Sequence, residues 1–123
     1  MLFRSLAPYL EYWRLKLRIE DAPEADLRAF LQRQEGSYLA DRLRADWLKE
    51  IGRRGEWERF EQERPPLVQD DPEIRCYAWL SRLARGDEGA YEEAKAVWLE
   101  PRELTEGCRA LADRMIEAGR VTV

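Results

Sequence analysis

Histidine is absent from the 123-residue chain. That removes the commonest general base and every Ser-His or Cys-His nucleophile. Phosphate-binding loops are missing as well: neither a Walker sequence nor a Gly-x-Gly-x-x-Gly fingerprint occurs. There is no Gly-x-Ser-x-Gly elbow around Ser5, Ser37 or Ser81. Two cysteines, Cys76 and Cys108, supply too few ligands for a zinc site when no histidine accompanies them, so neither a metal nor an organic cofactor is expected. No apolar run approaches the ~20 residues of a membrane span, and Met1 to Ser5 carries no leader pattern. Lysine is confined to Lys16, Lys49 and Lys95. The net charge of −4 offers no global electrostatic case for nucleic acid or an anionic membrane.

What the chain does have is apolar and aromatic material, 45% and 11% of residues, within a 37% charged background. This is the composition of one ordinary domain, residues 1–123, with broad solvated faces. The punctuation is helical almost throughout. Asp21-Ala22-Pro23-Glu24 reads as a capping box, and Gly36 ends the helix that follows. Ser37 opens the next helix, and the Gly52 to Gly55 region closes it. Pro65-Pro66 forces an extended connector, Asp71-Pro72 caps a further start, and Gly86 stops it. Thr105 caps the last helix, with Gly119 beyond its end. Only Val121-Thr122-Val123 reads as a strand.

A repeat lies within these helices. Leu10, Trp13, Arg14 and Leu17 fall at i, i+3, i+4, i+7, as do Arg44, Trp47, Leu48 and Ile51. Cys76, Trp79, Leu80 and Leu83 repeat the pattern, and Cys108, Leu111, Ala112 and Met115 repeat it again. Successive sets are 34, 32 and 32 residues apart (10 to 44, 44 to 76, 76 to 108), the period of one helix–turn–helix unit. Shorter helices are expected between them, at Ala25 to Arg33, Glu56 to Glu63 and Glu88 to Trp98. The helix after Asp71 is apolar on two sides, its second stripe being Ile74, Tyr77, Ala78 and Ser81. A helix of that kind belongs inside a stack. The expectation is an all-α, tetratricopeptide-like solenoid of about seven helices.

Tryptophans in such a repeat wedge between helices, each burying ~150–250 Å². Core packing is the reading for Trp13, Trp47 and Trp79. Trp57 and Trp98 lie nearer to helix ends, where an aromatic face can also stack on a sugar. Cys76 and Cys108 hold one position in consecutive repeats; they read either as a disulfide between adjacent helices or as two buried thiols. Asp70-Asp71 resembles a catalytic carboxylate pair, but Pro72 makes it a helix cap. Glu61, Glu63, Glu92 and Glu93 read as solvated faces, and nothing singles out a glycosidase pair among the 25 acids. Arg42, Arg44, Arg53, Arg54 and Arg59 are interleaved with Asp41, Asp46, Glu50, Glu56 and Glu58, so internal ion pairing is expected rather than anion binding.

The segments "FLQRQEGSYLADRLRADWLKEIGRRGEWERF", "RCYAWLSRLARGD" and "AKAVWLEPRELTEGCRAL" resemble the superhelical U-shaped region of the soluble lytic murein transglycosylases, from about Leu6 to Gly119. The resemblance implies a periplasmic parent enzyme that cleaves the β-1,4 bond between N-acetylmuramic acid and N-acetylglucosamine, leaving a 1,6-anhydro product. The corresponding cysteines of that family are typically bridged. Its catalytic glutamate belongs to a lysozyme-like domain, and no Glu-Ser dipeptide occurs in this chain. No catalytic residue is therefore assigned, and the chain alone is not expected to be an enzyme.

The implied role is a scaffold fragment that supports the catalytic domain and guides glycan strands. Its expected partners are the remaining domains and, weakly, glycan at Trp57, Arg53 and Arg54. Self-association is expected through a cut end of the stack, near Leu2 to Leu10 or Leu111 to Val123. The alternative is a stand-alone tetratricopeptide-like adaptor that binds another protein. Reduced thiols would suit a cytosolic adaptor, and an oxidised pair the exported scaffold.

Overall fold

The structure, a computed structural model, describes residues 2–98 and 105–119, with side chains over 7–96 and 105–119. Seven α-helices and no strand occur among the described residues. They are α1 (Leu2–Leu17), α2 (Glu24–Arg33), α3 (Tyr38–Arg54), α4 (Trp57–Glu63), α5 (Pro72–Ala84), α6 (Gly89–Trp98) and α7 (Glu106–Glu117). The all-helical expectation holds, with element starts within one residue of those read from the sequence for α2, α4 and α6. Val121-Thr122-Val123 lies outside the described residues, as does the side chain of Trp98.

Most ends form for the expected reasons. Oγ of Ser37 accepts from the Ala40 amide, Oδ1 of Asp71 from Glu73 and Ile74, and Oγ1 of Thr105 from Cys108, each satisfying amides that the first helical turn leaves free. Gly55 ends α3 at φ +74°, a left-handed conformation that disfavours a side chain. The capping box at Asp21 does not form. Pro23 is the N-cap of α2 and no side chain bonds to the helix start, while Asp21 pairs with Arg18 at 3.8 Å in the turn after α1. Gly52 does not help to close α3 but lies inside it and is buried.

Helices adjacent in chain order pack on one another, α1 with α2, α3 with α4 and α5 with α6. The long helices also pack in series, α1 on α3, α3 on α5 and α5 on α7. Two cores result. One gathers Tyr12, Leu27, Phe30, Leu43, Trp47, Leu48, Ile51, Phe60, Ile74 and Tyr77 from α1 to α5. The other gathers Cys76, Leu83, Ala90, Tyr91, Ala94, Leu111 and Met115 from α5 to α7. Helix α5 thus feeds one stripe into each core, as its two apolar sides require.

The α1 stripe is the exception. Leu10 is 61% exposed, Trp13 48% and Leu17 80%, so the repeat register chosen for this helix does not point inward. Tyr12 does: it is 1% exposed, and its hydroxyl donates to Oδ2 of Asp46 on α3 at 2.8 Å. Burial and the Asp46 charge push the Tyr12 phenol up to about 12, so it stays protonated and able to donate across the α1–α3 contact. Trp13 instead carries the Lys16 ammonium 5.1 Å from its ring centre. Trp47 is buried as expected, with the guanidinium groups of Arg28 and Arg59 at 5.4 and 5.7 Å from its ring centre. Trp79 is half-buried against the second core.

Tyr77 forms the tightest junction. Its ring lies against Gly52 of α3 and Gly107 of α7, so close that a Cβ at either glycine would stand under 3 Å from ring carbons. The amide of Gly107 donates to Oε2 of Glu73 on α5 at 2.9 Å. Beside this contact the sulfurs of Cys76 and Cys108 lie 2.10 Å apart, bonded, with Cα atoms 5.0 Å apart. That spacing is closer than side-chain-mediated helix packing permits, and small residues at Cys76, Gly107 and Cys108 allow it.

Candidate functional site

Helix α4 is a single short segment, and its first residue, Trp57, follows immediately on the left-handed turn at Gly55. The amide of Trp57 donates to the Gly55 carbonyl at 3.0 Å. The indole is half-buried. It meets Phe60 edge-on at 5.9 Å between ring centres and tilts against Tyr77 at 6.3 Å. Aromatic rings prefer such edge and tilted contacts, and here they fix the indole plane.

The rest of Trp57 borders two open grooves. One, of about 650 Å³, is lined with Glu24, Arg28, Glu56 and Arg59. The other, of about 400 Å³, is lined with Glu61 and Arg85. Trp57, Glu58 and Gln62 belong to both and form the ridge between them. Glu58 and Gln62 are four residues apart on α4, one above the other on its exposed side. Neither has a hydrogen bond or ion pair among the described residues.

The arginines around the ridge are already engaged. Arg28 donates to Oε2 of Glu63 at 2.7 Å and to Glu24 at 3.2 Å. Arg59 bonds Glu24 and reaches Glu56 at 3.6 Å. The hydrogen bond from Arg59 holds the Glu24 carboxyl below the usual range, and the hydrogen bond that Arg28 donates to Glu63 raises Arg28. Glu24 and Arg28 are thereby held in their charged forms. Glu63 is not the solvated residue read from the sequence: it is 7% exposed and also accepts from Arg44 at 3.2 Å. Its two guanidinium partners compensate the burial of its charge.

Arg53 and Arg54 pair internally, as expected, whereas Arg42 finds no carboxylate among the described residues and instead donates to the Tyr38 hydroxyl and lies over the Tyr12 ring. Arg53 and Arg54 both hold Glu50, and Arg54 also donates to the Glu20 carbonyl. Neither lines the grooves beside Trp57, so the structure does not bring Trp57, Arg53 and Arg54 to one surface there. The Arg53 hydrogen bond holds the Glu50 carboxyl low. Asp71 caps α5 and reaches Lys49 at 2.9 Å, while Asp70 pairs with Arg75, so these neighbours serve two separate structural contacts. A general acid in glycoside cleavage needs a carboxyl held high. The displaced carboxyls Glu24, Glu50 and Asp87 are all held low.

Sequence reasoning singled out Trp57 but not Glu58, Gln62, Arg28 or Arg85. The available signal was the i, i+4 placement of Glu58 and Gln62 on a helix that begins with an aromatic residue. Comparisons with protein families, with curated proteins and with solved structures return no match to this chain.

Proposed function

We propose that the chain is part of the superhelical scaffold of a peptidoglycan lytic transglycosylase working in the periplasm. In this reading it supports a catalytic domain carried elsewhere and borders the path of glycan strands. The cleavage of the N-acetylmuramic acid–N-acetylglucosamine bond belongs to that other domain, and no residue here is given a catalytic role. The observation that carries the reading is the Cys76–Cys108 bond, which joins equivalent positions of successive repeats. Disulfides persist in oxidising compartments and are rare in the cytosol. The serial packing of α1 on α3, α3 on α5 and α5 on α7 supports a solenoid, in which each unit buries its apolar face against a neighbour.

The test is intact mass after alkylation in denaturant, on protein produced in the periplasm and never reduced. The expected result is the mass of one chain with neither cysteine alkylated until a reductant is added. Full alkylation of never-reduced protein would overturn the exported scaffold and favour the second reading, a stand-alone adaptor. What favours an adaptor is the apolar face of α1, where Tyr9, Leu10, Trp13 and Leu17 are all exposed. The same face is our candidate for self-association, which sedimentation over a concentration series would reveal as a rise in mass.

A further inference from the structure

Helix α1 differs from the rest of the chain in charge. Residues 1–18 hold Arg4, Arg14, Lys16 and Arg18 against the single acid Glu11, four minus one or +3. The total of −4 therefore leaves −7 for residues 19–123. Elsewhere most arginines are consumed by carboxylates, as around Glu24, Glu50 and Glu63. Along α1 they are not. Arg14 has no carboxylate partner among the described residues. Lys16 has none either and lies over the Tyr12 and Trp13 rings, 5.8 and 5.1 Å from their centres. Arg18 reaches Asp21 at 3.8 Å with both side chains largely in water, a contact of little strength. Glu11 is already held by Arg33 at 2.6 Å.

These cations border an apolar stripe. Leu10, Trp13 and Leu17 fall at i, i+3, i+7 and are all exposed, on the side of α1 turned away from the buried Tyr12. Arg14 and Arg18 run along one flank of the stripe; Tyr9 and Lys16 run along the other. An exposed apolar stripe that carries an indole and a phenol, with basic residues on both flanks, suits a helix lying in the plane of an anionic membrane surface. The leucines enter the acyl boundary, the aromatic rings stay at headgroup level, and the long basic side chains reach back to phosphate. Two protein occupants fit less well. A second copy would set an identical basic border against this one, because both flanks are cationic, and this keeps self-association through the face weak. A further helical repeat would need a close approach such as Gly52 and Gly107 give beside Tyr77, and α1 contains no glycine.

We propose that the protein docks on anionic phospholipid through this face of α1. The helix lies on the surface; among the described residues no helix is long and apolar enough to cross a membrane. The acidic remainder does not prevent docking. Packed helices stand about 8–10 Å apart, so α7, three steps along the series from α1, lies beyond the ~8 Å range of charge at physiological salt. The inference stands apart from the scaffold reading and applies equally to an adaptor.

The experiment is co-sedimentation of the full, disulfide-intact chain with vesicles of phosphatidylcholine, alone or with about one-third phosphatidylglycerol. Binding to the anionic vesicles should be about 25-fold tighter, from two free cations at about fivefold each, and should fall as salt rises from about 0.05 to 0.5 M. Arg14→Ala should weaken it about fivefold and Leu17→Ser about tenfold. Both side chains are exposed, so the urea midpoint should not move. Arg109→Ala removes an exposed, unpaired cation on α7 and should leave binding unchanged. Brominated acyl chains should quench tryptophan emission in the native chain but not in Trp13→Phe. Equal binding to both vesicles, no binding by about 1 mM lipid, or an Arg109→Ala loss matching that of Arg14→Ala would overturn the proposal. A rise in mass with concentration but no vesicle binding would give the face to a second copy and overturn it as well. Full alkylation of the cysteines would remove the exported scaffold and leave the docking face standing.

Discussion

Replacing Gly52 or Gly107 with alanine tests how tightly α3, α5 and α7 are keyed together. A Cβ at Gly52 would stand 2.6 Å from Cγ of Tyr77, and one at Gly107 would stand 2.7 Å from Cε2. Carbon atoms pack best at about 3.5–4.0 Å, so the overlap approaches an ångström. The ring cannot swing aside easily, because it is 3% exposed and Cγ lies close to the α5 backbone. Two effects oppose each other. Neither glycine has positive φ, so alanine gains about 1 kcal/mol of helix propensity. Overpacking a filled site costs about 1–3 kcal/mol, and this overlap places it toward the upper end. The net expectation is a loss of about 1–2 kcal/mol, or roughly 4–8 °C in Tm for a chain of this size. Urea unfolding should show a lower midpoint with an unchanged slope. The decisive comparison is a Tyr77→Ala background. With the ring gone, Gly52→Ala should become stabilising by about 1 kcal/mol, since only the propensity gain remains. A stabilising Gly52→Ala with Tyr77 still in place would refute the keyed ring.

Three further outcomes follow from the same contacts. Replacing both cysteines with serine opens a loop spanning 32 residues and should cost about 3–4 kcal/mol by chain entropy, with amide exchange accelerating most in α7; an unchanged urea midpoint would show that the bridge does not constrain the chain. Glu63→Ala leaves Arg44 half-buried without its carboxylate and should cost about 3 kcal/mol in urea unfolding, whereas a loss below about 1 kcal/mol would mean that the pair is solvated. Glu50 has its folded pKa held below the unfolded value, so its contribution is present above the ordinary glutamate range and is lost as pH falls through the depressed value. Glu50→Gln should therefore show a flatter loss of stability on acidification, and acid limbs of identical slope would refute the Arg53 pairing as the cause.

The legible parts of this fold were those set by local chemistry. Ser37, Asp71 and Thr105 cap helices because a short oxygen-bearing side chain before an apolar run has few other uses, and all three do so. The period of 32 to 34 residues alone sets Cys76 and Cys108 at matching positions, and the two are bonded. Periodicity stops short of saying which of two stripes on one helix faces inward. On α1 both Trp13 and Tyr12 continue an apolar pattern, and the larger residue was the natural choice. The buried one is Tyr12, because Asp46 on α3 offers its hydroxyl a partner that an indole on the neighbouring stripe does not reach. Gly52 misled for a related reason. A glycine near other glycines reads as a helix end, yet one buried within a helix marks a close approach, and the ring it admits is 25 residues further on, at Tyr77.

The candidate site was less legible because its parts are ordinary when taken singly. Glu58 and Gln62 look like any solvated pair on a short helix; what distinguishes them is that the surrounding acids are consumed by Arg28 and Arg59, which in turn flank Trp47. Burying Trp47 beneath two paired guanidiniums leaves Trp57 as the aromatic ring that faces the grooves. The two tryptophans, ten residues apart on successive helices, are therefore complementary: the first, sealed by its arginines, fixes α3 against α2 and α4, and the second presents the surface that this packing holds in place.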